Sequence, residues 1–487
     1  MVALMVMSNQ FQSIPIGIVG GTNFARYDKI TNEKTVNMMV TTANEVKCLV
    51  DNSGYCKDIS FLSGLQPRAL YVSVRLNQMI AVIGRYVYAI DAQLHYQEIG
   101  VLSTFTGPVY ITENLASQIG IVDNLALYVY NYSVFTFTRI DIPDVTPAYI
   151  SFLDTYFIIT DSNRNFWQIS NSDDGTTYNA LMVAFLQTAP DELQAVVPLS
   201  RTLWVMGKKI SELWNDNPTG YNASGIGNPV SFPFQRNNSL AINYGVLSVP
   251  SICVGFNMLV WLAYNAVSGP TIVYTEGGQV KDLSSDGLDY LLKNVIEFPE
   301  QSYATMRQEN GHIIYQITFY NPDDNLSIQY DFSSKLWTNC TDENQNFHIM
   351  KELVYFNNNQ YFINFDQNNP GLYLLDAQLT SYDGAEIPRI RVCPPIRFQD
   401  KKFVIKEVEL VMEQGENSSS RYVDLSLSKD GGERFGNWNR YEMLPVGYRK
   451  GQVHFRNLGL ANDLRLQFMF LSHDRFVVLD GTARMRV

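Results

Sequence analysis

From Arg68 onward the chain alternates short runs of Val, Ile, Tyr and Phe with polar turns of Gly, Asn, Asp and Gln. The clearest stretch places four runs in succession, Arg68 to Val74, Gln78 to Ile83, Tyr86 to Ile90 and His95 to Ile99. β-branched and aromatic side chains suit a half-buried pleated surface, and the turns between these runs are short enough for hairpins, so the pattern predicts four antiparallel strands. The scheme recurs with Pro108 to Glu113, Gln118 to Val122, Ala126 to Asn131 and Phe135 to Ile140. A third unit opens at Pro147, with strands at Tyr156 to Thr160 and Asn165 to Ile169, and less regular units begin near Leu193, Val246, Ser302 and Lys351. These starts, spaced by roughly 40 to 55 residues, fit four-stranded propeller blades with variable outer loops. An all-β propeller of about seven blades is expected, with stacked sandwiches as the alternative use of the same hairpins.

The flanks read differently. Strands at Val36 to Thr41 and Val46 to Asp51 have no partners in the blade count, and pairing with the last blade would let them close the ring and hide two sheet edges. After Ser284-Ser285-Asp286, the residues Leu288, Leu291, Leu292 and Val295 recur at helical steps and predict one helix inserted among the strands. Beyond Gly384 the strands lengthen and alternate, as in Val404 to Val411, Tyr422 to Ser428 and Leu464 to Phe470, which suggests a separate sandwich-like domain. The expected division is a closing segment at 1–60, a propeller at 61–384 and a C-terminal β domain at 385–487.

Composition narrows the function. With 36 Lys and Arg against 48 Asp and Glu the net charge is −12, and no dense basic block appears; Arg397, Lys401, Lys402 and Lys406 form the nearest patch. Tight wrapping of nucleic acid needs a basic face, so no stable specific nucleic-acid binding is expected. Five cysteines, Cys48, Cys56, Cys253, Cys340 and Cys393, lack zinc-site spacing and fit reduced thiols. The apolar opening Met1 to Met7 lacks the basic flank of an export signal, and Ile252 to Tyr264 is too short to cross a membrane, so no membrane insertion is expected.

Chemistry is sparse. His95, His312, His348, His454 and His473 are scattered, and no nucleophile elbow, phosphate loop or dinucleotide fingerprint occurs. Gly17 to Gly21 reads as a turn. The pairs Asp173-Asp174 and Asp323-Asp324 invite a glycosidase reading, but adjacent strand residues point to opposite faces and both pairs lie in turn-rich sequence. Asn171 to Tyr178 and Ser428 to Gly432 resemble Asp-box hairpin turns, in which Asp caps its own backbone and Gly supplies positive φ. No catalytic, cofactor or metal residue is assigned, and no position is assigned to partner contact.

Several segments in order resemble the packaged-DNA stabilisation proteins, or tail hubs, of Salmonella-type short-tailed phages. The resemblance begins at Tyr27-Asp28 and Val36-Asn37-Met38-Met39, and continues through Trp204 to Trp214, with its Gly207 turn and Glu212-Leu213-Trp214 strand. It resumes at Asn243-Tyr244-Gly245-Val246, Trp261-Leu262-Ala263 and Val273-Tyr274, and ends with Leu425 to Gly431 and Leu464 to Phe468. Between Arg68 and Ile169 only texture agrees. The resemblance implies a structural virion protein of the phage tail, not an enzyme and without a cofactor, assembled in the host cytoplasm. It implies six copies around the tail axis, joined above to the portal or head-completion ring and below to a tail needle or tip, with tailspikes or fibres as further neighbours. Retention of packaged DNA would follow. The competing reading is a glycan-binding or glycan-cleaving propeller of the receptor-binding or sialidase kind, which would need an arginine cluster; the arginines between residues 60 and 380 are few and unclustered in sequence, and only the fold could bring them together.

Overall fold

The computed structural model describes residues 11–26, 33–43, 45–162, 165–216, 232–398, 401–414, 421–444, 448 and 450–486. The Met1 to Met7 run and the Tyr27-Asp28 pair lie outside them. The described residues form seven successive four-stranded antiparallel blades. Their innermost strands are Pro67–Ser73, Tyr110–Glu113, Pro147–Leu153, Leu193–Leu199, a split strand (Gly245–Val246 and Cys253–Gly255), Ser302–Glu309 and Met350–Phe356. Each blade packs on the next, and Met350–Phe356 packs on Pro67–Ser73, so the ring closes.

The middle strands explain why their sequence runs apolar and does not alternate. Met79, Ile80, Ala81, Val82 and Ile83 are all fully buried. Successive strand residues face opposite sides. Ile80 and Val82 therefore meet Ile119 and Ile121 of the second blade, while Met79, Ala81 and Ile83 meet Tyr361 and Ile363 of the seventh. A blade is thus buried on both faces between its neighbours. The approach is close: a Cβ on Gly120 would stand 2.6 Å from Ile150 Cδ1 of the third blade.

The strand that closes the ring is Gly54–Ser60, which pairs antiparallel with Gly371–Asp376 to complete the seventh blade. The two strands expected to do this go elsewhere. Met38–Ala43 and Val46–Asp51 form a hairpin whose second strand pairs with Phe476–Arg486, and Lys34–Val36 pairs with Arg389–Val392. Their inward residues Met38, Val40 and Leu49 find apolar partners there. The single α-helix among the described residues is Asp286–Asn294, with the Ser285 hydroxyl accepting from the Leu288 N–H as N-cap. Leu288 and Leu292 are buried, but Val295 lies past the helix end and is exposed.

The C-terminal region is a β-sandwich that draws strands from both parts of the chain. One sheet runs Met38–Ala43, Val46–Asp51, Phe476–Arg486, Phe403–Gln414, Lys450–Ala461, with Gln12–Pro15 added on Phe476–Arg486. The other runs Lys34–Val36, Arg389–Val392, Asp463–Leu471, Tyr422–Ser428, Asn439–Glu442, with Ile396–Arg397 also on Asp463–Leu471. Both sheets fill one core, in which Ile16, Ile18, Met38 and Leu49 lie with Phe455, Leu466, Phe468 and Phe470. A bulge between Ile405 and Glu407 shifts the alternation, so that Phe403 and Ile405 face inward before it and Val408, Leu410 and Met412 after it. At Val36 the second sheet also pairs, in parallel, with Asn339 of the sixth blade's outermost strand Leu336–Cys340. Propeller and sandwich therefore share one continuous sheet.

Candidate functional site

Strand alternation gives the propeller two distinct faces. Turns joining the first to the second strand and the third to the fourth lie on one face; turns joining the second to the third, and the connections between blades, lie on the other. The chain enters the seventh blade's closing strand and leaves its third strand on the first face, so the sandwich attaches there and it is the joint face. The opposite one is the crossover face.

The joint buries a dense set of polar side chains. Arg389 is fully buried; its Nε lies 2.9 Å from Asp51 Oδ1, and its Nη1 donates to the Ser472 carbonyl at 2.8 Å. Burial pushes the Asp51 carboxyl up, and the Arg389 guanidinium opposes that shift. Arg391, also fully buried, donates to the carbonyls of Ile18 at 2.9 Å, Gly21 at 2.7 Å and Gly17 at 2.8 Å, to Thr35 Oγ1 at 3.0 Å and to Glu33 at 3.3 Å. The Gly17 to Gly21 turn is thus a cradle for a guanidinium, and Gly17 takes φ +64° to shape it. On the propeller side Arg307 binds Glu309, Gln316 and Gln329, and Glu309 accepts from the Ser53 N–H at 2.7 Å just before the closing strand. Asn37, at φ +56°, donates to the Pro388 carbonyl and Thr341 and accepts from the Thr341 N–H. Sequence reading missed these residues, because a lone Arg in an apolar strand carries no sign of its distant partners.

Ring closure has its own polar staple. Lys351, in the seventh blade, donates to the Pro67 carbonyl at 2.6 Å and sits 4.5 Å from the Tyr303 ring centroid. Its neighbour Glu352 accepts from the Leu70 N–H of the first blade at 2.7 Å. Burial pushes the Glu352 carboxyl up and the Lys351 ammonium down. Both groups are used by backbone partners, so the pair is structural.

The residues singled out from the sequence serve turns and packing. Asp174 accepts from Thr176 and Thr177, and Asp173 holds the hairpin turn at φ +55°. Asp324 accepts from the Glu297 and Phe298 N–H groups, while Asp323 is exposed. Asp430 accepts from Ser428 Oγ at 2.6 Å and the Arg434 N–H at 3.1 Å, with Gly431 and Gly432 at positive φ. Trp214 is buried edge-on against Trp167, 5.3 Å between centroids, and its Nε1 donates to the fully buried Glu212. The histidines do not converge. His95 and His473 are exposed, His312 bridges Asp331 and Thr41, His454 meets Glu407, and His348 is buried with its pKa pushed down to about 3 by desolvation. Among the described residues no group of three His, Cys, Asp or Glu could hold a metal. Cys340 and Cys393 are buried and free, their thiols pushed up to about 12 by desolvation. Nor do these described blade arginines converge: Arg68 binds backbone between the first two blades, Arg139 pairs with Asp141, Arg201 with Asp216, and Arg307 lies in the sixth blade. Lys401, Lys402 and Lys406 are exposed, and Arg397 pairs with Asp463.

In this seven-bladed propeller the described ionisable groups named above hold turns, strands and the joint. The profile of the phage stabilisation family, described as bacteriophage P22 Gp10, beta-propeller, matches residues 12–380, and the chain belongs to that family. It is a structural virion protein with a tail-hub role and not an enzyme. No curated protein matches the sequence. Solved structures that resemble it include virginiamycin B lyase from Staphylococcus aureus, 12% identical with a TM-score of 0.44, covering 66% of this chain and 99% of that one. The N-terminal domain of Nup159 is 11% identical with a TM-score of 0.40, covering 70% and 99%.

Proposed function

We propose that six copies of the chain form a ring on the tail axis, between the portal or head-completion ring above and a tail needle or tip below, and that the ring retains packaged DNA. Membership of the phage stabilisation family is the observation that carries this reading. The charge says how retention works. A subunit of net charge −12 repels a DNA end, so the ring keeps the genome in by blocking the channel with protein and not by gripping phosphates. Subunits assemble onto filled heads in the host cytoplasm.

The test is a phage lacking this gene, complemented in trans. Filled heads that leak DNA without the protein, and hold it at both low and high salt once the protein is added, are the expected result. Heads that keep their DNA without the protein, or tight binding of free duplex by the isolated subunit, would overturn it.

A further inference from the structure

Charge is divided unevenly between the two parts of the molecule. Residues 389–487 carry 17 Lys and Arg against 12 Asp and Glu, whereas residues 1–388 carry 19 against 36. Within the propeller the imbalance lies on one face. Among the described residues the connections of the crossover face hold 14 Asp and Glu against 4 Lys and Arg; those of the joint face hold 4 against 3. Some crossover carboxylates, such as Asp123 and Asp191, are used in capping backbone. Glu297, Glu300, Asp323, Glu343 and Asp366 are exposed. The segments bearing the first four adjoin one another, since Asp324 binds the Glu297 N–H and Asn325 accepts from the Phe347 N–H, so they form one acidic patch over the fifth, sixth and seventh blades.

The basic side has a shape to match. Between the outermost strands of the two sandwich sheets, Asn439–Glu442 and Lys450–Ala461, runs an open groove of about 630 Å³. It is lined by Lys429 and Arg434, by Arg456, which is paired with Glu407, by the amides of Asn437, Asn439 and Asn457, and by one carboxylate, Asp430, already bonded to Ser428 and the Arg434 N–H. This edge cannot fold back onto its own propeller. In the shared sheet the order from the sixth blade's outermost strand is Leu336–Cys340, Lys34–Val36, Arg389–Val392, Asp463–Leu471, Tyr422–Ser428, Asn439–Glu442. Five strand spacings hold the groove about 24 Å from that blade.

We infer that the groove takes the acidic crossover patch of a second copy, so that each subunit's sandwich edge seats on the next subunit's propeller. The contact is heterologous, with different surfaces on the two partners, which is what a closed ring of identical subunits requires. It rests on the ring reading above and adds which surfaces meet. Contacts between opposite charges of this kind give specificity and register more than raw affinity.

The experiment is a charge swap in the full chain, read as the number of subunits bound per complemented head. K429E/R434E alone and E297K/E300K/D323K alone should each lower occupancy at least tenfold while the thermal midpoint of the isolated chain stays unchanged. An equimolar mixture of the two variants can close a six-membered ring in strict alternation, since each contact then pairs opposite charges, and one chain carrying all five changes restores every contact with reversed sign; both should recover most of the occupancy. Normal occupancy with either variant alone, or a five-fold variant no better than its parents, overturns the inference. If K429E/R434E instead binds heads normally but loses an acidic glycan that the wild type binds, the groove is a saccharide site and the inference also fails. Should heads lacking the gene keep their DNA, the hub reading itself falls, a result separate from any of these.

Discussion

Replacing Arg391 with Met tests whether the joint is held by its guanidinium. The substitution keeps an unbranched side chain but removes donors to the carbonyls of Gly17, Ile18 and Gly21, to Thr35 Oγ1 and to the Glu33 carboxylate. Ile18 and Gly21 are buried and would lose their partner without gaining water, whereas Gly17 is exposed and Glu33 only partly buried, so those two can rehydrate. Two unpaired buried acceptors cost about 1–3 kcal/mol each. The partly solvated charge adds a little, giving about 3–5 kcal/mol, the usual cost of breaking a buried ion pair from one side. For a domain of this size that lowers the thermal midpoint by about 10 °C. Differential scanning calorimetry should show the loss in a transition assigned to the sandwich, located by the exposure of Cys48 and Cys393 to a thiol reagent. Arg391→Lys, which keeps the charge but reaches fewer acceptors, should fall between the two. A loss below about 1 kcal/mol for Arg391→Met would show that the Gly17 to Gly21 turn holds its shape unaided and that the joint is set by apolar packing.

Three shorter expectations follow. Trp214→Ala should cost about 3–5 kcal/mol in urea unfolding, since the ring is buried against Trp167; unchanged stability with lost tail assembly would instead place Trp214 in an interface. His348 is neutral in the fold, its pKa down at about 3 against an ordinary 6.5, so its contribution is fully present above pH 6.5 and declines by about 1.4 kcal/mol per pH unit as the pH falls toward 3; His348→Gln should flatten the urea midpoint over that window, and an unaltered acid slope would refute it. The purified chain should sediment as a monomer at micromolar concentration, because ring contacts gain their strength from a head that gathers several copies, and a stable hexamer without partners would count against that.

Legibility in the sequence followed the range of the interactions. Blade starts at Pro147, Leu193 and Ser302 could be read directly, because hairpins are local and each strand's run of Val, Ile and Tyr records burial on both faces. The helix start at Ser285 could be read from its cap for the same reason. Ring closure could not. Val46 to Asp51 and Gly54 to Ser60 are both short strands of mixed polar and apolar residues, and only their partners, Val477–Val478 for one and Gly371–Asp376 for the other, tell them apart. The joint was hidden more deeply, since Arg389 and Arg391 alternate with Ile390 and Val392 as a half-exposed edge strand would, yet both arginines are fully buried. Alternation reports two unlike faces; it does not say that the polar face meets water.

Discontinuity of the sandwich sets the order in which the molecule can complete itself. Seven blades of hairpins have local contacts and can form as the chain emerges, but the seventh waits for Gly54–Ser60 to be joined by Gly371–Asp376. The sandwich waits longer still, because Ile16, Ile18, Met38, Val40 and Leu49 have no apolar partners until strands such as Phe403–Gln414 and Phe476–Arg486 exist. A chain ending near Asp383 would therefore keep every blade strand and still carry an N-terminal region with its inward face bare. We expect that truncation to aggregate, and a chain spanning residues 53–387, which discards both halves of the sandwich together, to stay soluble with cooperative unfolding and β-type circular dichroism. If the 53–387 chain is unfolded, the Asn37 contacts with Thr341 and with Asn52, just before the closing strand, are needed to hold that strand, and the propeller is not an independent folding unit. If the chain ending at Asp383 is soluble and monomeric, the N-terminal strands have another partner, and their place in the sandwich core does not govern its folding.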